Sequence, residues 1–359
     1  MSRAAELVTG TRLRLARQVR GFSQQQLAGM AGVSRQAVSA VESGQSDPSL
    51  RVALALAQAL GLTVDELFGS EGAIPTVAAS LASPAAEAQR VTLAPIADSF
   101  VALPLAGPTV SRAGFLPAGG LITGPAVADQ VRVRPIGPPK PTLVIAGCDP
   151  ALPLLSEPLS LLDPPIGFAW WPCASREALR LAGNGLVHVA GVHLSGQPDP
   201  GLIPDGSQVI GFSAWHEGLV LRPEDADRIK GLDDVVSAGL RLVNREPGAE
   251  ARSVLDRELA GIGIPGGQVP GYETRATGHL QVAEAVATRL ADAGVASEPA
   301  ALAYGLAFLP LAAERFDLVI PAGQAASREV QALVKVLSSR WLLDQLGSLP
   351  GYDPAPCGQ

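Results

Sequence analysis

Between residues 11 and 68 the chain repeats one local instruction: a hydroxyl that opens a helix, an apolar stripe, and a small residue that closes it. Ser23 followed by Gln26 is a capping box, in which hydroxyl and amide satisfy each other's orphan backbone donors and start a helix at Gln24. Leu27, Ala28 and Ala31 form its buried stripe. Gly32 supplies the positive φ that a short turn between helices needs, Val33 fills the corner, and Ser34 caps the next helix. Val38 and Val41 point inward at helical spacing, which leaves Arg35, Gln36, Ser39 and Ala40 outward. Thr63 with Glu66 makes a second capping box before the last short helix. Residues 1–69 are therefore expected to be an all-α domain.

The string from Phe22-Ser-Gln-Gln-Gln-Leu-Ala through Gly32-Val-Ser-Arg-Gln-Ala-Val-Ser-Ala-Val-Glu-Ser43, ending at Val64-Asp-Glu-Leu-Phe68, resembles the Xre family of phage-repressor-like helix-turn-helix domains. The resemblance implies double-stranded operator DNA as a partner, with the helix after Ser34 in the major groove. Gln24, Ser34, Arg35, Gln36, Ser39, Ala40 and Ser43 are the DNA-contacting residues it implies. An Arg reads guanine and a Gln reads adenine, each through two hydrogen bonds. It also implies an Arg17–Glu42 pair tying the first helix to the end of the reading helix, and a homodimer on two half-sites.

Charge divides the chain. Residues 1–69 hold seven basic and five acidic side chains, +2, so the remainder carries −9 of the total −7. Only the N-terminal part suits phosphate. At 359 residues, two or three domains are expected. Cys148, Cys173 and Cys357 show no paired spacing, and no charged-then-apolar segment opens the chain, so the expectation is a reduced, cytoplasmic protein. No apolar run approaches the ~20 residues that span a bilayer, so no membrane partner is expected.

Residues 70–89, rich in Ala, Ser, Pro, Gly and Glu and without a period, read as a flexible linker. Residues 90–140 read as a small β module of short strands between Gly/Pro turns, a spacer or dimerisation element. Residues 141–356 alternate strand-like and helix-like segments, as an α/β domain does. Two apolar stretches, Leu306–Leu311 and Asp317–Pro321, read as separate strands there, and residues 328–346 as one closing amphipathic helix.

Asn244-Arg-Glu-Pro-Gly-Ala-Glu-Ala-Arg252, Gly271-Tyr-Glu, Thr277-Gly-His-Leu-Gln-Val-Ala-Glu-Ala-Val-Ala, Ala291-Asp-Ala-Gly and Glu314-Arg-Phe-Asp-Leu-Val-Ile-Pro resemble the cytoplasmic family related to periplasmic molybdate-binding proteins. The resemblance implies a two-lobed type II binding-protein fold with its ligand in the interlobe cleft. The whole is then a multidomain chain: helix-turn-helix domain, β module and PBP-like α/β domain.

Clefts of this kind hold small anions with helix N-termini, whose unsatisfied N–H groups make a positive pole. The strand-to-helix turns that can converge carry Cys148, Asp149, Ser175 as a helix cap, Asn244, Arg245, Gly248, Ala249, Thr277 and His279, and Arg245 and Arg252 add forked donors. The implied ligand is an oxyanion such as molybdate or tungstate. Gly248-Ala-Glu-Ala-Arg252 lacks the hydroxyls of the family's usual Gly-Ser-Gly-Thr-Arg, and Asp149 adds negative charge. An organic acid or a molybdenum-cofactor-related metabolite is the alternative. His188 and His193 alternate with apolar neighbours and read as packing histidines, so no metal site is expected. Cys148 and His279 both fall in cleft turns, yet no third orienting residue is legible, so the reading is a regulator and not an enzyme acting on its ligand.

Overall fold

The computed structural model describes residues 12–18, 20–68, 76–107, 115–193 and 203–359. The chain divides into two compact units, 1–76 and 77–359.

In the first unit, a helix over 12–18 precedes helices Gln24–Ala31, Arg35–Glu42, Leu50–Leu60 and Val64–Phe68. Local chemistry sets each boundary. Ser23 Oγ accepts from Gln26 N at 3.2 Å while the Gln26 side chain accepts from Ser23 N at 2.8 Å, and Gly32 closes that helix at φ 63°. Ser34 and Ser49 cap the next two, and Thr63 and Glu66 form the expected reciprocal box. Leu13, Leu27, Val38, Val41, Leu56, Leu60 and Leu67 share one core, with Val33 packed against it.

Among the described residues of this unit, Glu42 is the one buried acid, 3% exposed. Arg17 donates to both its oxygens, at 2.6 and 3.0 Å, and Gln24 Nε2 adds a third hydrogen bond at 2.9 Å. Burial alone would raise the Glu42 pKa, but these donors and the charges of Arg17 and Arg14 hold it below the ordinary carboxylate range. The pair ties the first helix to the end of the third.

The second unit opens with a closed five-stranded barrel, β1 Val77–Leu81, β2 Arg90–Ile96, β3 Ser99–Pro104, β4 Gly120–Ile122 and β5 Gln130–Pro135, in the order β1-β3-β2-β4-β5. The stretch 70–89, read as a linker, thus contains a barrel strand; residues 69–75 lie outside the described residues. Ala79 and Leu81 alternate into the barrel core with Val91, Leu93, Ile122 and Val133. A short strand rich in Ala and Ser has too little hydrophobic contrast to declare itself without its partners. The barrel is no free spacer either. Ile96, Val101 and Leu103 share a core with Val144, Leu181 and Val319 of the α/β region.

The α/β region is two lobes on one eight-stranded sheet, ordered β11-β10-β12-β9-β13-β8-β6-β7. The first lobe holds β6 Thr142–Ala146, β7 Gly167–Trp171 and β8 Val189–Val192; the second holds β10 Leu242–Arg245, β11 Arg275–Ala276 and β12 Ala293–Ser297. Joining them are two long antiparallel strands, β9 Gln208–Leu221 and β13 Ala307–Ile320, paired along almost their full length. Leu306–Leu311 and Asp317–Pro321 therefore belong largely to one strand, its register shifting between Pro310 and Ala312 and between Phe316 and Asp317. The proposed closing helix is two, Arg328–Leu337 and Arg340–Ser348, because Ser339 caps the second by accepting from Leu342 N.

Removing Glu42 leaves the Arg17 guanidinium without its carboxylate. We expect Glu42→Ala to cost about 3 kcal/mol in the first unit, in the range for breaking a buried pair. Urea unfolding of the full chain should show an earlier first transition by far-ultraviolet circular dichroism. Tryptophan fluorescence should not follow it, since Trp170, Trp171, Trp215 and Trp341 all lie in the second unit. The folded Glu42 pKa is depressed, so its contribution is present above the ordinary carboxylate range and lost as pH falls through the folded value. An unshifted first transition at neutral pH would show that the pair is not structural.

Candidate functional site

The helix Arg35–Glu42 presents one polar face. Arg35, Gln36 and Ser39 are exposed, Ala40 is half-buried, and Val38 and Val41 are buried behind them. Three other expected contacts are engaged within the fold. Ser34 Oγ accepts from Ala37 N, Ser43 Oγ donates to Ser39 O at 2.8 Å, and Gln24 is bonded to Glu42.

In the second unit the two crossing strands build the cleft. Side chains alternate faces along a strand, so Ser213, Trp215 and Glu217 of β9 share one face, as do Glu314 and Phe316 of β13. All five are buried, whereas His216 and Arg315 between them are exposed. Cys148 and Asp149 follow β6, and His193 follows β8. Their turn and strand meet because Gly147 and Gly191 have no side chains: a Cβ on Gly147 would lie 2.8 Å from Gly191 O. From the second lobe come Asn244 and Arg245 at the end of β10, and His279 as the first residue of the helix His279–Ala287. The His193 and His279 rings stand 5.6 Å apart across the cleft, with Trp215 5.7 Å from His193.

The cluster is almost dry, with Asp149 and Glu217 fully buried and Arg245 1% exposed. Asp149 accepts from Tyr352 Oη at 2.6 Å, Ala151 N at 2.8 Å and Ser213 Oγ at 3.0 Å. Burial still raises its pKa against those three bonds. Glu217 fares differently. Neither of its oxygens has a hydrogen-bond partner, and burial, opposed by His193 and Arg245, pushes it up to about 7. Burial works against the charged form of His193, yet the neighbouring Cys148, Glu314 and Glu217 hold its pKa well above the ordinary imidazole range. Glu314 Oε2 lies 3.7 Å from His193 Nδ1, and Glu217 Oε1 lies 3.4 Å from His279 Nδ1. Arg245 binds Glu246 through Nε and Nη2, and its Nη1 has no hydrogen bond.

Several expected ligand contacts do other work. Ser175 does not cap its helix, whose N-cap is Ala174 with no side-chain bond; its hydroxyl instead pairs with the backbone of His193, both contacts at 3.2 Å. Asn244 accepts from Arg245 N and donates to Tyr272 O, and Arg252 stacks over the Tyr272 ring while donating to Arg245 O. Thr277 is exposed and bonded to Gln281. Ala249 is buried as a helix N-cap. Gly248 is exposed, and a Cβ there would lie 3.8 Å from Arg176 of the opposite lobe, so this turn marks where the lobes meet. Cys148, Asp149, Arg245 and His279 do converge.

Sequence reasoning missed Trp215, Glu217, Glu314, Ser213, Ser297 and Tyr352. It read His193 as packing, whereas the fold sets it in the cleft; His188 does fit that reading, its Nδ1 accepting from Val144 N. Ser213-Ala-Trp-His-Glu217 carried a signal, since acids placed in period with core residues are unusual. Cys148, His193 and His279 bring possible ligand atoms within 4.8 Å of one another. A separate apolar cavity of about 560 Å³, lined by Leu93, Phe168, Trp170 and Trp171 among others, shares no residue with this cluster.

The PBP superfamily domain model matches residues 156–338 and a helix-turn-helix model matches residues 13–67. Protein YvgK of Bacillus subtilis is 31% identical over 142 residues, 40% of this chain and 46% of its own length, so the chain spans about half of that relative. A protein encoded in the 5′ region of a 2Fe-2S ferredoxin gene of Clostridium pasteurianum is 31% identical, covering 30% of this chain and 95% of that protein. An HTH-type transcriptional regulator of Methanocaldococcus jannaschii is 37% identical, covering 16% of this chain and 86% of its own. Among solved structures, a phosphate ABC transporter substrate-binding protein from Clostridium perfringens aligns with 59% of this chain and 99% of its own at TM-score 0.47 and 11% identity. The controller protein C.AhdI of Aeromonas hydrophila aligns with 18% of this chain and 98% of its own at TM-score 0.18 and 43% identity.

Burial gives Glu217 a measurable signature. Its folded pKa of about 7 lies above its ordinary 4.5, so the folded state holds more protons between those values and stability must fall as pH rises through that window. The loss attributable to Glu217 is on the order of 3 kcal/mol. Chemical denaturation from pH 4.5 to 8, followed by tryptophan fluorescence, should show a shallower decline in Glu217→Gln. Parallel curves for the two proteins would mean that Glu217 keeps an ordinary pKa in the cleft.

Proposed function

The chain belongs to the family of PBP superfamily domains, behind an N-terminal helix-turn-helix domain, and from that premise we propose a one-component transcriptional regulator that reads operator DNA and senses a small ligand between its lobes. The single observation that carries the sensing half is the set of buried, charged side chains drawn from both lobes into one cleft. Such groups cost stability when nothing binds them, and a ligand that offsets them favours the closed arrangement. We read the protein as a regulator and not as an enzyme, acting as a homodimer in the cytoplasm where operator DNA is. Leu50 and Leu54, on one helical face and 73% and 53% exposed, support a second copy as partner. Among the described residues no helix is long and apolar enough to cross a membrane.

For the ligand itself, Arg245 Nη1 and the helix start at His279 support an oxyanion of the molybdate or tungstate kind. Asp149, Glu217 and Glu314 oppose a bare dianion, because each acid in this dry space repels it. A ligand bringing donors or positive charge with its acidic group fits the set better. An organic acid or a molybdenum-cofactor-related metabolite answers that description in part.

Two experiments test this reading. Arg35→Ala should cost ~1–3 kcal/mol on the operator and relax specificity at one position. An equal loss on random DNA would reassign Arg35 to phosphate. Calorimetry with molybdate, tungstate and sulfate, each with and without saturating operator, should reveal coupling of ~1–3 kcal/mol for the true ligand class, with operator and ligand shifting each other's affinity by the same factor. A ligand bound equally well in both titrations does not regulate this DNA-binding domain, and the sensor reading would then be abandoned.

A further inference from the structure

We propose that Cys148, His193 and His279 bind a single divalent metal ion of the zinc group or late first transition row, which clasps the two lobes across the cleft. The regulatory part of this proposal rests on the sensor reading above; the metal site itself does not. Three separate segments supply the ligands: the turn after β6, the residue after β8 and the first residue of the helix His279–Ala287. Cys148 and His193 belong to the first lobe and His279 to the second, so one ion held by all three would bond the lobes together.

The geometry is close to what an ion needs. Tetrahedral zinc, with sulfur at ~2.3 Å and nitrogen at ~2.0–2.1 Å, holds neighbouring donor atoms ~3.3–3.7 Å apart. Here one donor atom from each residue lies within 4.8 Å of the others, and all three residues are buried. A shift of ~1 Å, within what side-chain torsions supply, completes the site. One sulfur and two imidazoles select zinc, cobalt, nickel or copper; magnesium and calcium take oxygen ligands.

A second, independent observation points the same way. Glu217 is fully buried, lies 3.4 Å from His279 Nδ1, and has no hydrogen bond to either oxygen. Histidines that ligate metals characteristically hand their other ring N–H to a carboxylate, which fixes the tautomer and raises the basicity of the ligating nitrogen. Glu217 beside His279, and Glu314 Oε2 3.7 Å from His193 Nδ1, are placed for that role. His279 Nδ1 accepts from Ser297 N at 3.2 Å. Ligation through Nε2 would displace the proton from that nitrogen; carried on Nδ1, it could be donated to Glu217, in exchange for the bond from Ser297 N.

The test uses the full chain, stripped with a chelator and titrated with Co²⁺. One Co²⁺ per chain should bind with a thiolate-to-cobalt charge-transfer band, and Zn²⁺ should displace it. The band should vanish in Cys148→Ser and persist in Cys173→Ser. Affinity should fall ~100-fold or more in His279→Gln and ~10–100-fold in Glu217→Gln, and it should weaken as pH falls because thiol and imidazole must shed protons. A wild-type titration without the charge-transfer band overturns the site whatever the variants do, and so does a band that survives Cys148→Ser. Operator affinity measured with and without Zn²⁺ separates the two readings. A cobalt band with unmoved operator affinity leaves the metal site standing and removes the ion as the sensed ligand. Operator affinity that answers to molybdate in a chain lacking the band keeps the sensor and discards the metal.

Discussion

Everything in the second unit hangs on the pairing of β9 with β13. Each strand is 14 residues long, about three times the length of its neighbours in the sheet, and each serves both lobes: β12 of the second lobe pairs on Glu217–Leu221, while β8 of the first pairs on Asp317–Val319. A single antiparallel ribbon thus fixes where the lobes stand, and its inward face becomes the cleft floor. Register shifts between Pro310 and Ala312 and between Phe316 and Asp317 interrupt this ribbon, where a ladder is locally weakened.

That floor is chemically expensive. Placing Glu217 and Glu314 in period with Trp215 and Phe316 buries acids where a folded core would hold leucine. The cost is contained differently at each acid. Asp149 is satisfied by donors from Ser213, Ala151 and Tyr352, and so it braces the first lobe. Glu217 has no hydrogen bond to either oxygen, with His279 Nδ1 3.4 Å from Oε1, so the cost of burying it is not offset in the same way.

The first unit shows the contrasting use of a buried acid. Glu42 is as deeply buried as the cleft acids, yet Arg17 and Gln24 occupy its oxygens through three hydrogen bonds. It ties the helix Arg35–Glu42 to the first helix, while Arg35, Gln36 and Ser39 lie exposed on the outer face of that helix.

The helical unit was legible residue by residue, because caps, boxes and a left-handed glycine act over three or four positions and need no distant partner. The Arg17–Glu42 pair, 25 positions apart, came from the resemblance to helix-turn-helix domains and not from local chemistry. The alternation of strands and helices beyond residue 141 was equally plain, and with it Cys148, Asp149, Arg245 and His279 as residues of converging turns. Tertiary structure alone decided the rest. β1 became a strand only because β3 and β5 flank it, and β13 became one strand only because β9 runs beside it. Ser175, Asn244 and Thr277 lie in the predicted turns, but their polar groups are taken, at Ser175 and Asn244 by the distant His193 and Tyr272 backbones and at Thr277 by Gln281 one turn on. Glu217 and His279 lie 62 positions apart, and no local periodicity can announce that their side chains will meet.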